Sequence, residues 1–104
     1  MVLTAEHDAA IERARKRAEA RAIEPVLVKI VGNGPDEVWL FRVESFSTPG
    51  VLHGTSVRFT AAGVHLQCDC EAGLADRVCC HAVACLDTVE QAGPAPSNAV
   101  RAIA

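Results

Sequence analysis

The 104-residue sequence predicts an α+β domain: an N-terminal helix, a small antiparallel sheet of about four strands, a cysteine-rich knuckle, and a C-terminal helix packed on the sheet. Three observations carry this reading. The chain opens on an Ala-, Arg- and Glu-rich run without Gly or Pro, which favours helix. Its middle holds short β-branched runs separated by Gly- and Pro-containing turns. After Cys80 the apolar residues return at helical spacing.

The first element is "TAEHDAAIERARKRAEARAI". Thr4 is placed to cap it, Glu6 and Asp8 sit near its positive end, and Arg17 and Arg21 near its negative end. Leu3, His7, Ile11, Ala14, Ala18 and Ala22 form one narrow stripe, mostly alanine, and Pro25 is expected to end the helix. "VLVKIVG" and "VWLFRVES" flank the turn "NGPDE" and read as a hairpin, with Trp39 in the core. "STPG" marks a further turn. "TSVRFT" and "VHLQC" are the next two strands, the second alternating Val64 and Leu66 with the solvated His65 and Gln67. "HAVACLDTVEQAG" places Ala82, Leu86 and Val89 on one helical face, and Gly93-Pro94 is expected to stop the helix. Three segments follow: a basic amphipathic helix over 1–24, a sheet-and-helix module over 25–93, and a short tail over 94–104.

Composition narrows the function classes. Half the residues are hydrophobic, so the chain is globular, and no apolar run reaches the roughly 18 residues of a membrane span. Glu6 and Asp8 stand where a secretory signal carries positive charge, which points to a cytoplasmic protein. Net charge is −3, unevenly placed: residues 1–23 carry five basic against four acidic side chains, whereas the remainder is acidic.

The chemistry concentrates in "CDCEAGLADRVCCH", residues 68–81. Cys68-Asp69-Cys70 leaves a strand and Cys79-Cys80-His81 enters a helix, so soft donors approach from two directions, as a tetrahedral zinc site requires. A helix N-terminus also favours nearby thiolates. Disulfides and buried small cysteines are the alternatives. An odd count of five cysteines and a reducing compartment weigh against the first.

The pattern C-x-C, a gap, then C-x-H before an apolar helix resembles the SWIM zinc-finger family, over roughly residues 38–91. The upstream "VESFSTPG" resembles the strand and turn that precede that family's first cysteine pair. The resemblance implies Cys68, Cys70, Cys79 and His81 as zinc ligands and a small sheet packed on the following helix. Cys80 is then a bystander and Cys85 a core residue; His7 and His53 have no evident partner. Four ligands, three of them thiolates, would leave no open position and a metal of little Lewis acidity, so a structural zinc in a protein that is not an enzyme is expected. Deaminase and phosphate-loop motifs are missing from the sequence.

The expected role is a zinc-binding interaction module, an accessory or adaptor subunit that docks on a protein partner in a nucleic-acid-related assembly. The alternative is direct DNA or RNA binding through the basic helix, where Arg13, Arg17 and Arg21 form a stripe with Lys16 beside it. A protein partner would instead pack on the alanine seam at Ala14 and Ala18. Neither a membrane nor a small-molecule substrate is expected.

Overall fold

The structure, a computed structural model, describes residues 1–32 and 37–92. A single 3-10 turn at Ala5–His7 runs into α1 (Asp8–Ala20). Four strands follow: β1 (Val26–Val31), β2 (Val38–Glu44), β3 (Leu52–Thr60) and β4 (Gly63–Cys68). A short α2 (Glu71–Leu74) and then α3 (Cys80–Gln91) complete the order. The sheet is an antiparallel meander in the order β1-β2-β3-β4. The α+β architecture expected from the sequence is present. The turn at 33–36, the stop at Gly93-Pro94 and the tail lie outside the described residues.

Alternation along the strands decides what is buried. Trp39, Phe41 and Val43 of β2, Val57 of β3, and Leu66 and Cys68 of β4 point to one face, where α3 covers them with Ala82, Cys85, Leu86 and Val89. Burial of apolar surface there, at about 25 cal/mol per Å², is what drives α3 onto the sheet. Trp39 keeps its polar handle satisfied, its indole N–H donating to Glu37 Oε1 at 2.9 Å. Residues Met1–Leu3 run alongside β4, where Leu3 N–H donates to Val64 O and Leu66 N–H to Met1 O, both at 2.8 Å. At the opposite edge β1 carries a register shift between Leu27 and Lys29, a device that discourages edge pairing.

The alanine seam is consumed inside the molecule. α1 packs against α3, burying Ala14 and Ala18 at 0% and 8% exposure. Alanines allow that close approach, and Arg15 fastens it with two hydrogen bonds to Asp87 of α3, at 2.9 and 2.8 Å. A partner cannot use this seam without displacing α3.

Some boundaries differ from expectation. α1 stops at Ala20 rather than running to Pro25. Ile23 N–H bonds Ala18 O at 3.0 Å and Ala22 N–H bonds Glu19 O at 3.1 Å, a Schellman stop with Ala22 at φ 51°. Ala22 is therefore exposed and off the seam. β3 begins at Leu52, before the β-branched run that signals it. The gap between the cysteine pairs, where the sequence predicts no element, contains α2. His7 has a partner after all: its Nδ1 accepts the Thr4 N–H at 3.0 Å, closing the turn before α1. No helix among the described residues is long and apolar enough to cross a membrane.

Candidate metal centre

Three elements aim side chains at one point. Cys68, the last residue of β4, shares the inward face of Leu66, two residues before it. The chain then bends so that Cys70 becomes the N-cap of α2, while Cys79 takes the same position on α3 with His81 in the first turn. The two N-caps have extended backbone, at φ −70°, ψ 167° and φ −108°, ψ 156°. Each N-cap sulfur accepts an N–H from its helix at 3.3 Å, Gly73 for Cys70 and Ala82 for Cys79. Cys68 Sγ accepts the Thr55 hydroxyl, also at 3.3 Å. Every sulfur of the group thus has a donor that favours the thiolate.

The donor atoms of Cys68, Cys70, Cys79 and His81 all lie within 4.8 Å of one another, and all four residues are buried. A tetrahedron with zinc–sulfur bonds of about 2.3 Å has sulfur–sulfur edges of about 3.8 Å, so a small inward movement closes the set on an ion. The four side chains form a compact cluster that can hold a metal. All five cysteines are free thiols.

Protonation chemistry agrees with that capacity. The Cys68 thiol is pulled well below its ordinary value, first by donation from Cys79 and then, against the cost of burial, by His81 and Thr55. Donation to Cys68, and then burial, push Cys79 up. Burial chiefly raises Cys70. With protons alone, one thiol ionises readily at the expense of its neighbours; a dication can replace the protons and let all three sulfurs carry charge. His81 supplies a second test. Its Nδ1 is 3.9 Å from Cys68 Sγ, and its buried Nε2 has no hydrogen-bond partner among the described residues. An unmet buried polar atom costs about 1–3 kcal/mol, which few sites accept without a function. The donor set fits a metal ion.

A second layer braces the first. Asp69 Oδ2 accepts the Gly54 N–H at 3.0 Å, and Asp69 Oδ1 lies 2.9 Å from His53 Nδ1, tying the Cys68–Cys70 bend to β3. Against the cost of burial, the Gly54 N–H and then His53 help to hold the Asp69 carboxyl below its ordinary value. The His53 ring in turn packs on the ring of His81, with centroids 4.8 Å apart. Gly73 is required by space: a Cβ there would stand 2.2 Å from the Cys68 carbonyl oxygen. None of His53, Thr55, Asp69 and Gly73 stands out in the sequence as part of the centre.

The remaining cysteines and histidines divide cleanly. Cys85 is fully buried in the core, where desolvation pushes its thiol up. Cys80 is buried outside the cluster, and its sulfur accepts from Arg21 Nη1 at 3.5 Å. His65 is not simply solvated: it is half-buried, with Nε2 2.6 Å from the Met1 amine, and desolvation, then that charge, lower its pKa. The basic residues Arg13, Lys16 and Arg17 of α1 and Arg21, its C-cap, are all exposed. Only Arg17 and Arg21 border the open groove beside the cluster, which Arg77 joins from the α2–α3 connection. No family model, curated protein or solved structure matches the chain.

Proposed function

We propose that Cys68, Cys70, Cys79 and His81 bind a structural zinc ion, and that the protein is a SWIM-type interaction module acting as an accessory or adaptor subunit on a protein partner in a nucleic-acid-related assembly. The observation that carries the metal reading is the convergence of four buried donors from β4, α2 and α3. Three thiolates select a soft or borderline ion such as zinc over magnesium or calcium. Four protein donors fill a tetrahedron, so zinc here cross-links the sheet to both helices and has no position for substrate. The protein is accordingly read as non-enzymatic, and its reduced thiols suit the cytoplasm. The order strand, C-x-C, short helix, C-x-H, helix supports the SWIM reading.

The test is elemental analysis of protein purified without chelator. One zinc per chain, kept in Cys85→Ser and lost in Cys79→Ser, is expected. Less than half a zinc per chain, or retention patterns reversed between those variants, refutes the assignment. For the partner, capture from the source cell with and without nuclease should give the same bound proteins. Direct nucleic-acid binding remains the second reading because Arg13, Lys16, Arg17 and Arg21 stay exposed once the alanines are buried. Salt-steep DNA or RNA binding at physiological ionic strength, abolished by Arg13, Arg17 and Arg21→Glu together, would establish it instead.

A further inference from the structure

We propose that the groove beside the zinc site is a docking slot for an acidic, partly apolar peptide segment of the partner, gripped by Arg17, Arg21 and Arg77. This deepens the protein-docking reading above and rests on it.

The groove lies between the end of α1, the turn after β2 and the cysteine knuckle, with a volume of about 460 Å³. Its lining inverts the charge of the protein. Three arginines face a single carboxylate, Glu71, on a chain whose net charge is −3. The side chains of Arg17 and Arg77 make no hydrogen bond or ion pair among the described residues, so their donors are available. Arg21 is different: its guanidinium lies 4.8 Å from the centroid of the Phe46 ring and donates to Cys80 Sγ, which pre-orders it at low entropic cost. A guanidinium fork suits a carboxylate, which it can bind through two parallel N–H bonds.

The rim decides between classes of polyanion. Phe46 and Val51 are exposed at 58% and 44% on the same groove, and the hydroxyls of Ser47 and Thr48 stand beside them. Apolar side chains next to cations match a segment that interleaves acidic and apolar residues. A nucleic acid would need an open aromatic platform or a long basic track. Here the one exposed aromatic in the groove already carries Arg21, and beyond α1 the chain is acidic.

Fluorescence anisotropy tests this with three labelled probes: a short peptide of glutamate, leucine and serine, its glutamine counterpart, and oligothymidylate. Zinc content is measured on every protein. The wild type should prefer the glutamate peptide, with an affinity that falls as salt rises. Arg17, Arg21 and Arg77→Gln together should weaken it at least about tenfold. R17Q/R77Q, which leaves Arg21 on Phe46, should lose about half of that effect on a logarithmic scale. R13Q/K16Q, outside the groove, should stay within about twofold of wild type. Equal binding of the glutamine peptide, tighter binding of oligothymidylate, or an unaffected triple variant overturns the inference; so does R13Q/K16Q weakening binding as much as the triple. A chain without zinc refutes the parent reading, whereas a zinc-loaded chain that ignores the glutamate peptide refutes only the slot.

Discussion

Gly73→Ala places one methyl group where the structure has no room for it. The new Cβ would lie 2.2, 2.8 and 2.9 Å from the O, C and Cβ atoms of Cys68, and real Cβ contacts essentially never fall below 3.0 Å. The obstacle is mostly backbone, so no flexible side chain can swing aside. α2 or the end of β4 must instead move by about 0.8 Å, on the difference between those distances. Cys70 caps α2 and Cys68 ends β4, so either movement separates two members of one cluster. Overpacking of this kind costs about 1–3 kcal/mol. Misplacing groups that orient metal ligands weakens affinity by about 10- to 100-fold. Competition with a chromophoric zinc chelator should report that loss, and urea unfolding the stability change. Gly54→Ala is the control, because its Cβ would meet only Asp69 Oδ2, at 3.5 Å. It should leave zinc affinity and stability within about 0.5 kcal/mol of wild type. A Gly73→Ala protein with wild-type affinity and an unchanged urea midpoint would refute the claim that this close approach sets the geometry of the centre.

Ala22→Gly should act in the opposite direction. At φ 51° an alanine carries a strain of about 1–2 kcal/mol, and glycine's extra unfolded-state entropy returns about 0.4–1, so the variant should gain about 0.5–1 kcal/mol in urea unfolding. A variant less stable than wild type would contradict the Schellman assignment. Removal of the proposed zinc should dissolve the core, because Cys68, Cys70 and Cys79 belong to the same buried cluster as Trp39 and Phe41. Structural zinc contributes about 10–16 kcal/mol of apparent binding energy in finger peptides, and a core with few aromatics has little to replace it. Trp39, the only tryptophan and 5% exposed, should shift to red-wavelength emission under strong chelation. Unchanged emission and thermal unfolding after verified zinc loss would make the core self-sufficient.

Local patterns were legible in the sequence and non-local ones were not. The strands could be read because β-branched residues alternate on a half-buried sheet, and α3 because its apolar face repeats at helical spacing. The end of α1 was misplaced because proline is a strong stop signal, whereas the actual stop uses an alanine in a conformation that glycine normally supplies. α2 is only four residues long, below any periodicity. It exists because Cys70 caps it and Gly73 lets it rest on Cys68.

The candidate ligands were legible because all four lie within fourteen residues, but their supports depend on strand register. The β3–β4 turn pairs Thr60 with Gly63, and an antiparallel ladder without a bulge then places Thr55 opposite Cys68. Thr55 therefore points to the same face as Cys68 and can donate to its sulfur. His53, two residues further along β3, shares that face and arrives beside the start of α3, where it meets His81. Gly54, between them, donates its backbone N–H to Asp69 Oδ2, the carboxylate whose other oxygen meets His53. One turn position thus determines which β3 residues brace the knuckle. A one-residue slip would turn Thr55 and His53 away from it and bring Gly54 and Ser56 inward, neither of which can replace both contacts. The centre therefore depends on the hairpin's register as much as on its four donors.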